Sequence, residues 1–180
     1  MSNLFGAVRQ VGYVVRDIEQ AMLQWSRLGV GPWFYKAEVV STEYRYYGQP
    51  SALPKLSIAL ANSGDLQIEL IQQRDDVPTL YRDTLRGNGE GAQHVAYWTR
   101  DRFDAFCGKL LDLGYVEGHA GRMGATRGRY AYFVHADLPS GMIEISESTG
   151  GKAEYFEEVR RASVGWDGTD PVRRVGSAVR

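Results

Sequence analysis

The chain has few of the features that would assign it to a specialised class of protein. It contains one cysteine, so it cannot form an internal disulfide, and a reducing compartment is expected. Its net charge is only −1, which gives no electrostatic reason for binding nucleic acid or an anionic membrane. No stretch approaches the roughly 18 apolar residues of a membrane-spanning helix, and residues 1–10 lack the apolar core of a signal peptide. We therefore expect a soluble, cytoplasmic protein.

A repeated phrase is the strongest feature that the sequence does contain. The stretch QVGYVVRD begins at residue 10, and HVAYWTRD begins at residue 94. Farther along, LQIEL at 66–70 is echoed by GMIEI at 141–145. Two units that carry similar phrases in the same order indicate one duplicated module, because a solenoid would need more copies.

Both halves of the repeat show the same order of predicted elements. Apolar stretches rich in β-branched residues predict strands, and apolar residues at helical spacing predict a helix after the first strand of each half. Asp17 is a suitable N-cap for the first of these helices. We therefore predict an α+β fold in which two βαβββ modules form a curved, open, mixed sheet. The predicted boundaries are module one at about 8–72, a linker at 73–91 and module two at about 92–147, all within 1–150, then a C-terminal helix and tail over 151–180.

Four polar residues occupy equivalent places in the two modules. Gln10 and His94 begin the first strands, while Glu69 and Glu144 interrupt otherwise apolar last strands. A strand histidine is usually structural, and a strand glutamate can face solvent or pair with an arginine. Two carboxylates at matching buried positions, however, need a common partner, because an unpaired buried carboxylate is costly. A divalent cation such as zinc, nickel, cobalt or manganese would serve, with three oxygen ligands and one nitrogen ligand.

At these residues the sequence resembles the vicinal oxygen chelate superfamily, over about residues 8–147. That superfamily includes glyoxalase I, methylmalonyl-CoA epimerases, extradiol dioxygenases and bleomycin-resistance proteins. The resemblance implies a sheet that surrounds one metal ion, with ligands from the first and last strands of each module. The set Gln10, Glu69, His94 and Glu144 is most similar to the zinc ligands of glyoxalase I. The modules would pair within one chain or across a homodimer.

The resemblance also implies a reaction. We expect a lyase, isomerase or epimerase that removes a proton next to a carbonyl through a metal-stabilised enolate, with Glu144 as the first candidate base and Glu69 as the second. Val14 stands where glyoxalase I has a glutathione-binding arginine, so glutathione dependence is not expected. The predicted substrate is an apolar or aromatic small molecule. Its predicted contacts are Trp98, Met142 and Trp33.

Two other functions stay open. One is a non-catalytic protein of the resistance type that binds a small molecule, and the other is a ring-cleaving dioxygenase, which Gln10 disfavours because those enzymes use two histidines. The insertion 41–54 is expected to be a lid or a hairpin loop. His119 is expected at the surface, and the loop region 118–129 offers arginines to an anionic group or leaves them solvated: Arg122, Arg127 and Arg129.

Overall fold

The computed structural model describes residues 2–123 and 128–176. Helices and strands follow one another in the predicted order, with additional strands in the insertion and the tail. The helices are α1 (Ile18–Arg27), α2 (Leu80–Gly87), α3 (Phe103–Asp112) and α4 (Lys152–Ser163). The strands are β1 (Gln10–Val14), β2 (Trp33–Val40), β3 (Glu43–Tyr46), β4 (Gln49–Pro50), β5 (Lys55–Ser63), β6 (Leu66–Gln73), β7 (Gly91–Thr99), β8 (Val116–Arg122), β9 (Arg129–His135), β10 (Leu138–Glu147) and β11 (Val172–Arg174).

All of these strands join one open sheet, in the order β11-β2-β5-β6-β1-β7-β10-β9-β8-β3-β4. In each module the first and last strands are parallel neighbours, β1 with β6 and β7 with β10. The modules meet where β1 runs antiparallel to β7. The predicted α+β fold of two modules around a curved open sheet, with a C-terminal helix, is therefore confirmed, and the modules pair within a single chain.

Two helices cover one face of the sheet. In α1, Ile18 and Met22 pack against Ile68 and Leu70 of β6, and α3 packs in the same way on the second module. Burying a side chain of this size contributes about 1.5–3 kcal/mol. Helix α1 begins where the Asp17 carboxylate accepts a hydrogen bond from the backbone N–H of Gln20 at 2.9 Å. Because strand residues alternate, the remaining side chains project from the opposite face, which we call the site face.

The insertion forms a hairpin that extends the sheet. Strand β3 pairs with β8, and β4 pairs with β3 at the sheet edge. Tyr47 and Gly48 have φ values of 45° and 74°, as a two-residue turn with two left-handed positions requires. Of the two expectations for residues 41–54, the hairpin is the one observed.

The C-terminal segment covers part of the site face. Phe156 and Val159 of α4 are buried against Phe34 and Leu60 of the first module. Strand β11, in the segment predicted as the tail, then pairs with β2 in parallel. No helix among the described residues has the length and apolar character needed to cross a membrane.

Candidate metal centre

The sheet register brings three of the four predicted ligands together. Gly12 lies between Glu69 on β6 and His94 on β7, so these residues form one row across the sheet. In the next row, Ala96 separates Gln10 from Glu144. Each row therefore places a small residue between two polar ones, and the polar side chains can lean over it toward each other.

The imidazole of His94 lies between the two carboxylates. Its Nε2 is 3.5 Å from Glu69 Oε2 and 3.3 Å from Glu144 Oε2, and the ligand atoms of all three residues lie within 4.8 Å of one another. Only 9% of Glu69, 3% of His94 and 4% of Glu144 is exposed. Two ligand atoms about 2.1 Å from one cation at a tetrahedral angle are about 3.4 Å apart. The observed spacing therefore fits a divalent cation.

Gly12 provides the space that His94 occupies. A Cβ atom built on Gly12 would lie 1.8 Å from His94 Cε1 and 2.4 Å from Nε2. Real Cβ atoms essentially never approach a heavy atom more closely than 3.0 Å. The imidazole thus lies directly over the glycine, and any larger residue would displace it.

Gln10 stays a candidate fourth ligand. It is buried in the same row as Glu144, and its Nε2 donates to Gln67 Oε1 at 2.8 Å. With the nitrogen bound in this way, the amide oxygen is the atom left to serve a cation. A carboxylate pair, an imidazole and an amide oxygen are the donors that zinc and similar cations accept.

The three buried groups of the site shift one another's pKa values. Burial alone would lower the pKa of His94, but hydrogen bonds and charges from Glu144 and Glu69 raise it to about 9. Burial likewise would raise the pKa of Glu144, yet the closer His94 lowers it to about 2. The pKa of Glu69 is raised, with burial as the largest cause. In the absence of a metal, a proton on His94 supplies the positive charge that two buried carboxylates require.

Comparison with known proteins identifies the family. The sequence profile of the Glyoxalase/Bleomycin resistance protein/Dioxygenase superfamily matches residues 9–133. The chain belongs to this superfamily. The resemblance found in the repeated phrases is therefore confirmed. Comparison with curated proteins gives no match.

Solved structures similar to this superfamily member include epimerases. Methylmalonyl-CoA epimerase from Mycobacterium tuberculosis matches with a TM-score of 0.57 and 20% identity, over 86% of this chain and 96% of that one. A hypothetical protein from Bacillus halodurans has a TM-score of 0.53 and 15% identity, over 80% and 95%. A variant of the Streptomyces coelicolor epimerase, in complex with 2-nitronate-propionyl-CoA, has a TM-score of 0.52 and 17% identity, over 79% of this chain and 97% of that one. At these identities the similarity establishes the fold.

Several residues beside the candidate metal centre were not identified from the sequence. The hydroxyl of Tyr132 lies 3.4 Å from His94 Nε2 and accepts a hydrogen bond from Tyr81 at 3.1 Å. Lys152, the first residue of α4, donates to Ser146 Oγ at 2.5 Å, and its charge acts on both carboxylates. The alternation of β9 places Tyr132 on the same face as Glu144, its register partner, so this contact could have been inferred. The position of Lys152 depends on the docking of α4, which no local pattern reveals.

The expectation that His119 lies at the surface is wrong. It is 0% exposed, and its Nδ1 accepts a hydrogen bond from the backbone N–H of Leu80 at 3.3 Å. Its ring contacts those of Tyr81 and Tyr132. The physical reason is tertiary packing: Tyr44 of the inserted strand β3 and Tyr81 of α2 pack against the His119 ring.

The predicted substrate contacts divide between the two faces. Trp98 and Met142 lie on the site face, where Met142 is in register with His94 and Trp98 packs on Phe156 with ring centroids 4.4 Å apart. Trp33 lies on the other face, fully buried in the cluster that includes α1. It cannot contact a ligand beside the carboxylates, because the alternation of β2 turns Phe34 toward the site face instead.

The arginines of region 118–129 are engaged elsewhere. Arg122 pairs with Glu43 at 3.0 Å, and Arg129 pairs with Glu147 at 3.0 Å and with Asp104 at 2.8 Å. Arg127 lies outside the described residues. The two described arginines therefore join strands and helix α3, and neither has a contact to the candidate metal centre.

Proposed function

We propose that this protein is an enzyme that removes and returns a proton next to a carbonyl group of a small molecule. It would act with one divalent cation held by Glu69, His94, Glu144 and Gln10. The observation that supports this most directly is the convergence of two buried carboxylates on His94 Nε2, at 3.3 and 3.5 Å. When bound, the cation would act as a Lewis acid and stabilise negative charge on a substrate oxygen.

The two carboxylates have different tasks in this proposal. Glu144 is the first candidate for the general base, since its Oε2 is the nearer carboxylate oxygen to His94 Nε2, at 3.3 Å. Glu69 is the second candidate, because its Oε2 lies only slightly farther from His94 Nε2, at 3.5 Å. A proton returned to the same or a neighbouring carbon gives epimerisation or isomerisation. Loss of a substituent from the next carbon gives a lyase reaction.

Other groups support charge development in the site. The ammonium of Lys152 donates a hydrogen bond to Ser146 Oγ. Together with a divalent cation it would give the site one more positive charge than the two carboxylates supply in negative charge, and this excess would stabilise an enolate. The hydroxyl of Tyr132 beside His94 can hydrogen-bond a substrate oxygen. Both carboxylates are buried, which would limit the access of water to a substrate bound beside them.

The substrate proposal follows from the site face. Trp98 and Met142 favour an apolar or aromatic portion, and Val14 keeps glutathione from being the expected cosubstrate. Because the structurally similar epimerases include one in complex with a CoA thioester analogue, methylmalonyl-CoA is the first compound to test. We further propose a homodimer in the cytoplasm, with no nucleic acid or membrane partner.

Deuterium exchange tests this function without knowledge of the product. Zinc-, cobalt-, nickel- and manganese-loaded protein is incubated in D₂O with methylmalonyl-CoA and with a panel of aromatic α-hydroxycarbonyl compounds, and mass spectrometry follows deuterium uptake. The variant Glu144→Gln should lose about 10²-fold or more of the exchange rate while retaining metal. Glu147→Gln is the matched control, because Glu147 lies on the same strand but binds Arg129.

The same experiment separates the rival functions. Compounds that bind without any exchange, with or without metal, would favour the non-catalytic binding protein. Oxygen consumption with catechols by iron-loaded protein would favour the dioxygenase. Undiminished exchange in Glu144→Gln would remove the assigned base.

A further inference from the structure

We propose that Gln93 is a positioning residue that determines which nitrogen of His94 faces the cation. The proposal rests on the metal centre described above, and it concerns the ring's orientation and protonation pattern. Gln93 is buried, with 4% exposed, and its Oε1 lies 3.1 Å from His94 Nδ1.

A β-bulge makes this contact between neighbouring residues possible. Gly12 is in register with His94, but Tyr13 is in register with Ala92, so Gln93 is the extra residue on β7. In a regular strand, successive side chains point to opposite faces and could not meet. The bulge changes the direction of the chain locally and lets the Gln93 amide reach the imidazole next to it.

The direction of the Gln93 amide is fixed by α2. Its Nε2 donates to the backbone carbonyl of Leu80 and to Thr84 Oγ1, both at 2.9 Å. Thr84 uses its own hydroxyl hydrogen on the Leu80 carbonyl at 2.8 Å, so its oxygen is the acceptor for Gln93. A carbonyl can only accept, and the nitrogen must therefore lie on this side. The other end of the amide, Oε1, then faces His94 as an acceptor.

The consequence for His94 follows from hydrogen-bond chemistry. Since Gln93 Oε1 has no proton to give, His94 Nδ1 must carry one in every protonation state of the ring. The only nitrogen that can present a lone pair is Nε2, which faces Glu69 and Glu144. Partners of this kind fix the tautomer and orientation of metal-binding histidines in general.

The other buried imidazole beside α2 shows the opposite arrangement. The backbone N–H of Leu80 donates to His119 Nδ1, so His119 carries its proton on Nε2 when neutral. Leu80 of α2 therefore influences the tautomer of both rings. Its carbonyl orients the Gln93 amide beside His94, and its N–H donates to His119. His119 provides an internal reference, because a change confined to Gln93 should leave it unaltered.

NMR of ¹⁵N-histidine-labelled protein and zinc titration together test the inference. Wild type should show a slowly exchanging Nδ1–H on His94, with and without zinc, and Nε2–H on His119. In Gln93→Met the His94 signal should disappear, and zinc affinity should fall about 10- to 100-fold. Gln93→Glu, which keeps an oxygen toward Nδ1, should restore the signal. Gln72→Met is the matched control, because the Gln72 side chain binds the backbone of Arg16 and Ile18 and not His94.

The variants also show whether Gln93 acts through His94. In a His94→Ala background, Gln93→Met should change zinc affinity less than about twofold. Equal losses in both backgrounds, an absent Nδ1–H in wild type, or unchanged zinc affinity in a folded Gln93→Met protein would overturn the inference. A protein that retains the Nδ1–H signal but binds no divalent cation would contradict the proposed function and leave the positioning role of Gln93 supported.

Discussion

Replacement of Gly12 by alanine tests the geometry of the centre most sharply. The new Cβ would start 1.8 Å from His94 Cε1, and the shortest contact that real Cβ atoms tolerate is 3.0 Å, so the imidazole must withdraw by at least 3.0 − 1.8 = 1.2 Å. Metal–ligand distances vary by only about 0.2 Å. His94 is therefore lost as a ligand in Gly12→Ala. Loss of a partner outside the coordination sphere already costs about 10- to 100-fold, so we expect zinc affinity to fall more than about 100-fold, or about 2.7 kcal/mol.

The assay is zinc competition against a chromophoric chelator, with circular dichroism and thermal unfolding to confirm the fold. Gly108→Ala is the control, because an added Cβ at this position in α3 meets nothing within 4 Å. That variant should bind zinc normally. Gly12→Ala combined with His94→Ala should bind no more weakly than the weaker single variant, since both changes remove the same ligand. Wild-type affinity in a folded Gly12→Ala protein would refute the placement of His94 over the glycine.

Three further predictions concern groups around the centre. Burial lowers the folded-state pKa of His119 from 6.5 to about 3, so the free energy of unfolding should decline by about 1.4 kcal/mol per pH unit as pH falls below 6.5. Urea unfolding of His119→Asn, which keeps an acceptor for the Leu80 N–H, should lack this component. The same dependence of unfolding free energy on pH in both proteins would contradict the prediction. Lys152→Met should weaken oxalate binding to zinc-loaded protein about tenfold, whereas Lys109→Met should leave it unchanged. Phe156→Ala should raise amide exchange in α4 selectively, because Phe156 anchors that helix on the site face; unchanged protection would show that other contacts hold it.

The duplicated module was predictable because its evidence is local and repeated. Alternation within β6 and β10 places Glu69 and Glu144 opposite the helix-facing residues, and the repeat makes their meeting a matter of symmetry. The family and fold followed from those residues. The ligand geometry around His94 could be anticipated in outline, since Gly12 and Ala96 are visibly small.

The remaining features depend on contacts distant in sequence. His119 was misplaced because its ring is covered by Tyr44 of the inserted strand β3 and by Leu80 and Tyr81 of α2, which are distant from it in sequence. Gln93 went unnoticed because a bulge breaks the alternation on which the reading of β7 relied. Trp33 was assigned to the site from its aromatic character, although alternation with Phe34 turns it toward α1. In each case tertiary packing, rather than local propensity, decides the outcome.

Metal content of the purified protein tests the central claim most directly. Protein prepared without added metal or chelator, analysed by inductively coupled plasma mass spectrometry after removal of loosely bound ions, should contain one divalent cation per chain. Chelation should remove it, and the Glu69→Gln and His94→Ala variants should carry less. A wild-type protein that contains no divalent cation, and whose melting temperature does not rise with zinc, nickel, cobalt or manganese, would contradict the account.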